Sequence, residues 1–136
     1  MSQQVIAQIH ALLAARRYSV TETGETGLKI TDVESGLTVF AELQGDVLFF
    51  SLGCATVPES KVTPTVMAKM LDSGNGISTS HFQLHAAGTD EVGITLSNFC
   101  KLQELGPDDE DDILSCVGFL LADVIHARDL LAADLA

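Results

Sequence analysis

Five consecutive acidic residues, Asp108 to Asp112 (DDEDD), form the first group in this sequence whose side chains could bind a metal ion. Carboxylate oxygens are the ligands that Ca²⁺ and Mg²⁺ prefer in proteins. Counted from Asp108, a calcium loop of the EF-hand type requires glycine at its sixth position and an acidic residue at its twelfth. The sequence has Ile113 and Phe119 at these positions, so the calcium motif fails.

The neighbours of the acidic run favour a different interpretation. Pro107 precedes the run, and apolar residues at helical spacing follow it. In the cap and first turn of a helix, acidic side chains interact favourably with the free N–H groups and the helix dipole. The run is therefore predicted to begin a helix without a bound metal, and weak divalent binding is the alternative.

His81 and His85 are a second candidate for metal chemistry, with the spacing H-x-x-x-H. On a helix such a pair can share a zinc ion. However, the segment ISTSHFQLHAAG alternates polar and apolar residues, which predicts a strand, and four strand residues span about 13 Å. We therefore expect both histidines on a polar strand face with Gln83, without zinc. That face is also the alternative site, for a small ligand-binding domain or an enzyme.

Cys116, Asp123 and His126 fall near one side of the last predicted helix, where a Cys–His nucleophile could be sought. The sequence contains no nucleophile elbow, glycine-rich phosphate loop or H-E-x-x-H motif. Packing and surface roles explain such residues more simply. The sequence predicts no catalytic residue, no metal and no cofactor.

The charge is strongly acidic and unevenly distributed. The net charge is −12, and residues 89–136 carry eleven acids and two bases. Phosphate backbones and anionic membranes are repelled by such a surface, so neither a nucleic acid nor a membrane is expected as a partner. Basic or apolar protein partners remain allowed.

The cysteines and the N-terminal segment predict a cytoplasmic location. Three cysteines without a C-x-x-C pair argue against a disulfide framework. The N-terminal segment has no basic leader, and no apolar run approaches the ~18 to 20 residues that span a bilayer.

The 136 residues suit a single domain, 1–136, of the α+β class. Apolar periodicity and turn residues predict three helices and a mainly antiparallel sheet of about five strands, in the order α-βββ-α-ββ-α. The first helix is predicted over residues 3–16. In the second, Thr63-Pro64 forms the start, and the apolar stripe is Val66, Met67, Met70 and Leu71.

Two apolar surfaces are left over after this core is assigned. In the strand DVLFFSLGCATV, Leu48 and Phe50 point one way and Val47 and Phe49 the other. This strand is either covered on both faces or meets a partner. The last helix has a broad core stripe that includes Ile125, and a second, narrower row. The candidate interface residues are Val47, Phe49, Phe119, Ala122, His126 and Leu130.

The order of elements over residues 3–131 resembles the type III secretion chaperone-like fold, which includes secretion chaperones and YbjN-like proteins. The resemblance rests most on the helix VMAKML, the turn DSGNG, the strands ISTSHFQL and GITLSNFCKL, and the acidic start of the last helix. It implies a homodimer that holds a protein segment against apolar patches without catalysis. We therefore expect a non-enzymatic protein-binding or chaperone-like module of a small acidic cytoplasmic bacterial-type protein, with a partner of unknown identity.

Overall fold

The structure is a computed structural model that describes residues 2–136, apart from the side chain at position 2. In chain order its helices and strands are α1 (Ser2–Ala14), β1 (Tyr18–Thr23), β2 (Gly27–Asp32), β3 (Thr38–Gln44), β4 (Val47–Pro58), α2 (Pro64–Leu71), β5 (His81–Gly88), β6 (Glu91–Lys101) and α3 (Pro107–Leu135). A short 3-10 turn, Glu59–Lys61, connects β4 to α2.

The six strands form one antiparallel sheet in the order β1-β2-β3-β4-β6-β5. The predicted α+β class and the three helices are confirmed, but the prediction of about five strands is wrong. The missed strand is β1, which pairs with β2 from Tyr18↔Asp32 to Thr23↔Gly27. Because β1 lies at the sheet edge with mostly exposed side chains, its sequence YSVTET lacks the apolar alternation that marks the other strands.

The described residues fall into two compact units. The first is Met1–Ser51 with Phe99–Gly118, and the second is Leu52–Asn98 with Phe119–Ala136. Strands β4 and β6 and helix α3 each supply residues to both units.

In the first unit, α1 packs on β1 and β2. Its buried face consists of Ile6, Ile9 and Leu13, which are almost completely buried at helical spacing. Alternate residues of the strands supply further fully buried side chains: Leu28, Ile30, Val39, Leu48 and Phe50. The core of this unit is therefore aliphatic, with Phe50 as its large aromatic member.

In the second unit, α2 begins as its sequence predicts. The Thr63 hydroxyl accepts a hydrogen bond from the backbone N–H of Val66 at 3.2 Å, and proline occupies the first helical position. The predicted apolar stripe is only half right. Val66 and Met70 are buried, but Met67 and Leu71 are 38% and 84% exposed, because they lie about 100° further round the helix.

Strands β5 and β6 form a hairpin whose turn contains Asp90 in the left-handed region, at φ 62°. The predicted faces are confirmed. Phe82 pairs with Leu96 and Leu84 with Ile94, so these apolar side chains share the inner face of the sheet. Polar side chains of β5 occupy the opposite, outer face.

Helix α3 begins at Pro107, so the acidic run lies in its first turns as predicted. One acid differs from its neighbours. Asp109 is only 2% exposed, and its carboxylate accepts a hydrogen bond from the backbone N–H of Gln103 at 2.6 Å. Its side chain therefore ties the start of α3 to the preceding turn, in which Glu104 and Leu105 both have positive φ.

The buried stripe of α3 is narrower than predicted and rotated. Its completely buried members are Ile113, Val117, Leu120, Val124, Ala127 and Leu131. The prediction that Ile125 packs on the sheet is wrong, because Ile125 is 57% exposed and lies about 120° round the helix from Ile113. The stripe extends instead toward Cys116 and Asp123, which are buried. No helix among residues 2–136 is long and apolar enough to cross a membrane.

Candidate protein-binding surfaces

Three phenylalanine side chains lie on the outer face of neighbouring strands in the first unit. Phe40 of β3, Phe49 of β4 and Phe99 of β6 each stand between two buried residues, so they point away from the core. Their exposed fractions are 51%, 41% and 56%. We call these three residues the outer aromatic patch.

Two members of the outer aromatic patch touch each other. The ring centroids of Phe49 and Phe99 are 5.9 Å apart, with the planes tilted by 42°, which is a favourable distance for an aromatic pair. Val47, which the sequence placed beside Phe49, is half-buried. Phe49 remains 41% exposed despite its contact with Phe99, so the described chain does not cover this strand completely on both faces.

Charged residues lie around the outer aromatic patch. Lys29 of β2 is paired directly with Phe40 in the sheet and is exposed. Lys101 and Asp46 form a long ion pair at 3.8 Å, and both side chains are more than 60% exposed. An apolar centre with a charged rim is the arrangement found in protein-binding surfaces.

Helix α3 carries a second exposed apolar surface, within the second unit. Phe119 is 44% exposed, Ala122 and His126 are exposed, and Leu130 is half-buried. Ile125 extends this surface, which we call the α3 outer row and define as Phe119, Ala122, Ile125, His126 and Leu130. The four candidate interface residues of the helix thus all lie on its outward side.

The polar face of β5 carries His81, Gln83 and His85, all exposed. His85 Nε2 lies 2.8 Å from the hydroxyl of Thr95 on β6, within hydrogen-bond distance. Within residues 2–136, no group of three or more His, Cys, Asp or Glu side chains is arranged to hold a metal ion. The absence of zinc from this face remains a prediction.

Cys116, Asp123 and His126 have different surroundings. The Cys116 thiol is hydrogen-bonded to Cys100, and this bond lowers the pKa of Cys116 while it raises that of Cys100. The buried Asp123 carboxylate accepts hydrogen bonds from the hydroxyls of Thr79 at 2.7 Å and Ser80 at 2.8 Å. His126 is exposed. The Asp123 carboxylate thus orients two hydroxyl groups of its own unit.

Sequence reasoning missed Phe40 and Phe99. A signal for both was present, because each lies at a strand position that alternates with core positions and would ordinarily be polar. Phe40 stands between Val39 and Ala41, and Phe99 between Asn98 and Cys100, all of which are buried. A large aromatic residue at such an outward position indicates a binding surface only when neighbouring strands place further aromatic residues beside it.

Comparison with known proteins identifies the fold. No protein-family model matches the chain, and no curated protein matches it significantly in sequence. The chain is similar to the crystal structure of YbjN from E. coli, which is provisionally described as a transcription regulator. The TM-score is 0.68 at 15% identity, over 96% of this chain and 93% of that one. The chain therefore has a YbjN-like fold.

Proposed function

We propose that the protein is a non-enzymatic, chaperone-like module of the type III secretion chaperone-like class that binds another protein in the cytoplasm and acts as a homodimer. The observation that carries this proposal is the outer aromatic patch. Three exposed phenylalanines on one sheet face exceed the scattered apolar residues of an ordinary surface.

The energetics support binding through this patch. Complete burial of a phenylalanine side chain contributes about 1.5 to 3 kcal/mol, and each side chain of the patch retains roughly half of its surface for a partner to cover. Aromatic side chains are also the ones that dominate the binding energy of protein interfaces. An apolar partner segment is thus the ligand that this face would stabilise most.

The α3 outer row is the proposed dimer contact. A twofold dimer needs one surface that complements itself, and crossing helices with small residues between larger ones meet this need. Ala122 lies between Phe119 and the pair Ile125 and His126, so a partner helix can approach there. The net charge of −12 opposes association, but salt screens exposed charges over about 10 Å at 0.1 M.

Direct DNA binding is disfavoured for this chain. Its nineteen acids and seven bases would repel a phosphate backbone. A regulatory role, if it has one, would therefore act through protein contacts.

Sedimentation equilibrium tests the dimer. We expect self-association at tens of micromolar that strengthens between about 0.1 and 0.5 M NaCl, as repulsion is screened. The double variant Phe119→Asp with Leu130→Asp should be a monomer. The matched variant Phe49→Asp with Phe99→Asp adds the same charge elsewhere and should still dimerise. A wild-type protein that is monomeric at both salt concentrations would refute the dimer. If the helix variant dimerised and the sheet variant were monomeric, the dimer contact would lie on the sheet face instead.

Photo-crosslinking in the native host tests partner binding at the patch. A photoreactive phenylalanine analogue at position 40 should form a discrete heterologous adduct, and the same analogue at the exposed position 34 should not. Adding Phe49→Asp and Phe99→Asp to the position 40 protein should abolish the adduct. An adduct that survives these substitutions, or appears equally from position 34, would contradict the proposal.

A further inference from the structure

A groove of about 470 Å³ opens in the second unit beside α2, the 3-10 turn and the β5–β6 hairpin. Apart from His85 and small residues, its lining combines apolar and acidic side chains. Apolar surface is supplied by Met67, Leu84 and Val92, and carboxylates by Glu59, Asp90 and Glu91.

The apolar side chains of the groove lie on the core side of the second unit but are only partly buried. Leu84 belongs to the inner face of β5, and its paired residue Ile94 is completely buried. Leu84 itself is 44% exposed, and Met67 of α2, which lines the same groove, is 38% exposed. An apolar side chain from another molecule would cover both, which is favourable in proportion to the area removed from water.

The polar side chains that line the groove are three carboxylates and His85. Glu59, Asp90 and Glu91 are exposed, and the described lining contains no Lys or Arg. Within residues 2–136 none of the three carboxylates forms an ion pair. A ligand that brings cations would therefore find partners that the chain itself does not use.

A second copy of this chain is a poor occupant, because it brings few free cations. The chain has seven bases against nineteen acids. Four of the bases already contact acceptors within their own chain: Lys61 with the Ala136 carbonyl, Lys69 with Asp134, Lys101 with Asp46 and Arg128 with the Cys54 carbonyl.

We infer that this groove binds a segment of a partner protein in which an apolar side chain is flanked by Lys or Arg. The inference rests on the proposed protein-binding function and gives the partner its chemistry. The apolar side chain covers Leu84 and Met67, and the flanking cations pair with the three carboxylates.

The test uses the full chain and three fluorescein-labelled short peptides, each with a central leucine flanked by Lys/Arg, Ser/Gln or Glu. Fluorescence anisotropy should show binding of the basic peptide only, weakening as NaCl rises from about 0.05 to 0.5 M. Met67→Gln with Leu84→Gln should weaken it about tenfold or more. Glu59→Gln with Glu91→Gln should weaken it by about 2- to 10-fold and reduce the salt dependence.

The control variant, Glu25→Gln with Glu34→Gln, changes the net charge equally at exposed positions of the first unit and should bind the basic peptide within about twofold of wild type. Equal loss in this control would show nonspecific charge attraction and overturn the inference. The inference would also be overturned if the neutral peptide bound as tightly as the basic one, or if no peptide bound. It would fail as well if the chain self-associated through the groove, so that Leu84→Gln removed the self-association. The protein with Phe49→Asp and Phe99→Asp should bind the basic peptide as the wild type does. The proposal that the outer aromatic patch binds a partner and the inference that the groove binds a basic segment can therefore fail independently.

Discussion

Replacing Asp109 by alanine should destabilise the protein far more than replacing any exposed acid of the same run. The buried carboxylate accepts a 2.6 Å hydrogen bond from the backbone of Gln103. Hydrogen bonds to charged groups contribute about 1.5 to 3 kcal/mol, and a negative charge in the first turn of a helix adds about 0.3 to 1 kcal/mol. We therefore expect Asp109→Ala to lower the free energy of unfolding by about 2 to 4 kcal/mol. The exposed Asp111→Ala should lose less than about 1 kcal/mol.

Urea denaturation of the wild type and the two variants, followed by circular dichroism, measures this difference. Similar m-values among the three proteins would show that the denatured states are comparable. Equal losses for Asp109→Ala and Asp111→Ala would refute the assignment of Asp109 as the residue that ties the helix start to the turn. A melting temperature that rises strongly with millimolar CaCl₂, but not with NaCl at matched ionic strength, would refute the helix-start interpretation itself.

Three further predictions concern other buried or candidate groups. Asp123→Ala leaves two hydroxyls without their acceptor and should cost about 2 to 4 kcal/mol in urea denaturation, whereas the exposed Asp129→Ala should cost under about 0.5 kcal/mol. Cys116 and Cys54 are 8% and 7% exposed, but the hydrogen bond from Cys100 lowers the pKa of Cys116, whereas burial raises the pKa of Cys54. Iodoacetamide at pH 8 should therefore label Cys116 first in peptide mass spectrometry, because its thiolate fraction is larger, and faster labelling of Cys54 would contradict this. Elemental analysis of untagged protein should find no near-stoichiometric zinc after dialysis, since the two histidines of β5 are about 13 Å apart along the strand.

The parts of the fold that could be predicted from the sequence have strong local signals. The threonine-proline start of α2, the alternation of β5 and β6 and the proline before the acidic run all describe local backbone preferences. The two helix starts persist because nearby residues satisfy them, and the alternation of β5 and β6 is readable because one face of each strand is apolar. Strand β1 lacks such a signal, and its conformation depends on pairing with β2.

The candidate surfaces were harder to predict, because exposure depends on which neighbours cover a residue. Met67 and Leu84 have the sequence pattern of core residues, but no neighbouring element covers them completely, and they stay 38% and 44% exposed. Ile125 likewise follows an apolar period, but the buried stripe turns toward Cys116 and Asp123. Phe49 was found because its strand is apolar on both faces, whereas Phe40 and Phe99 needed the sheet order to bring them beside it.

The division of the chain between its two compact units has a consequence for synthesis on the ribosome. The first unit is made of two segments, Met1–Ser51 and Phe99–Gly118, which are separated in the chain by Leu52–Asn98. The second unit combines Leu52–Asn98 with Phe119–Ala136. Chains are synthesised from the N-terminus at about 5 to 20 residues per second. The first unit can therefore be completed only after Leu52–Asn98 has been synthesised and Phe99–Gly118 has followed it. During that interval β1, β2 and β3 can pair as local hairpins, but the unit still lacks Phe99–Gly118 with the buried Ile113 and Val117, so its apolar core is incomplete and open to other nascent chains. A ribosome pause anywhere before residue 119 would lengthen that exposure.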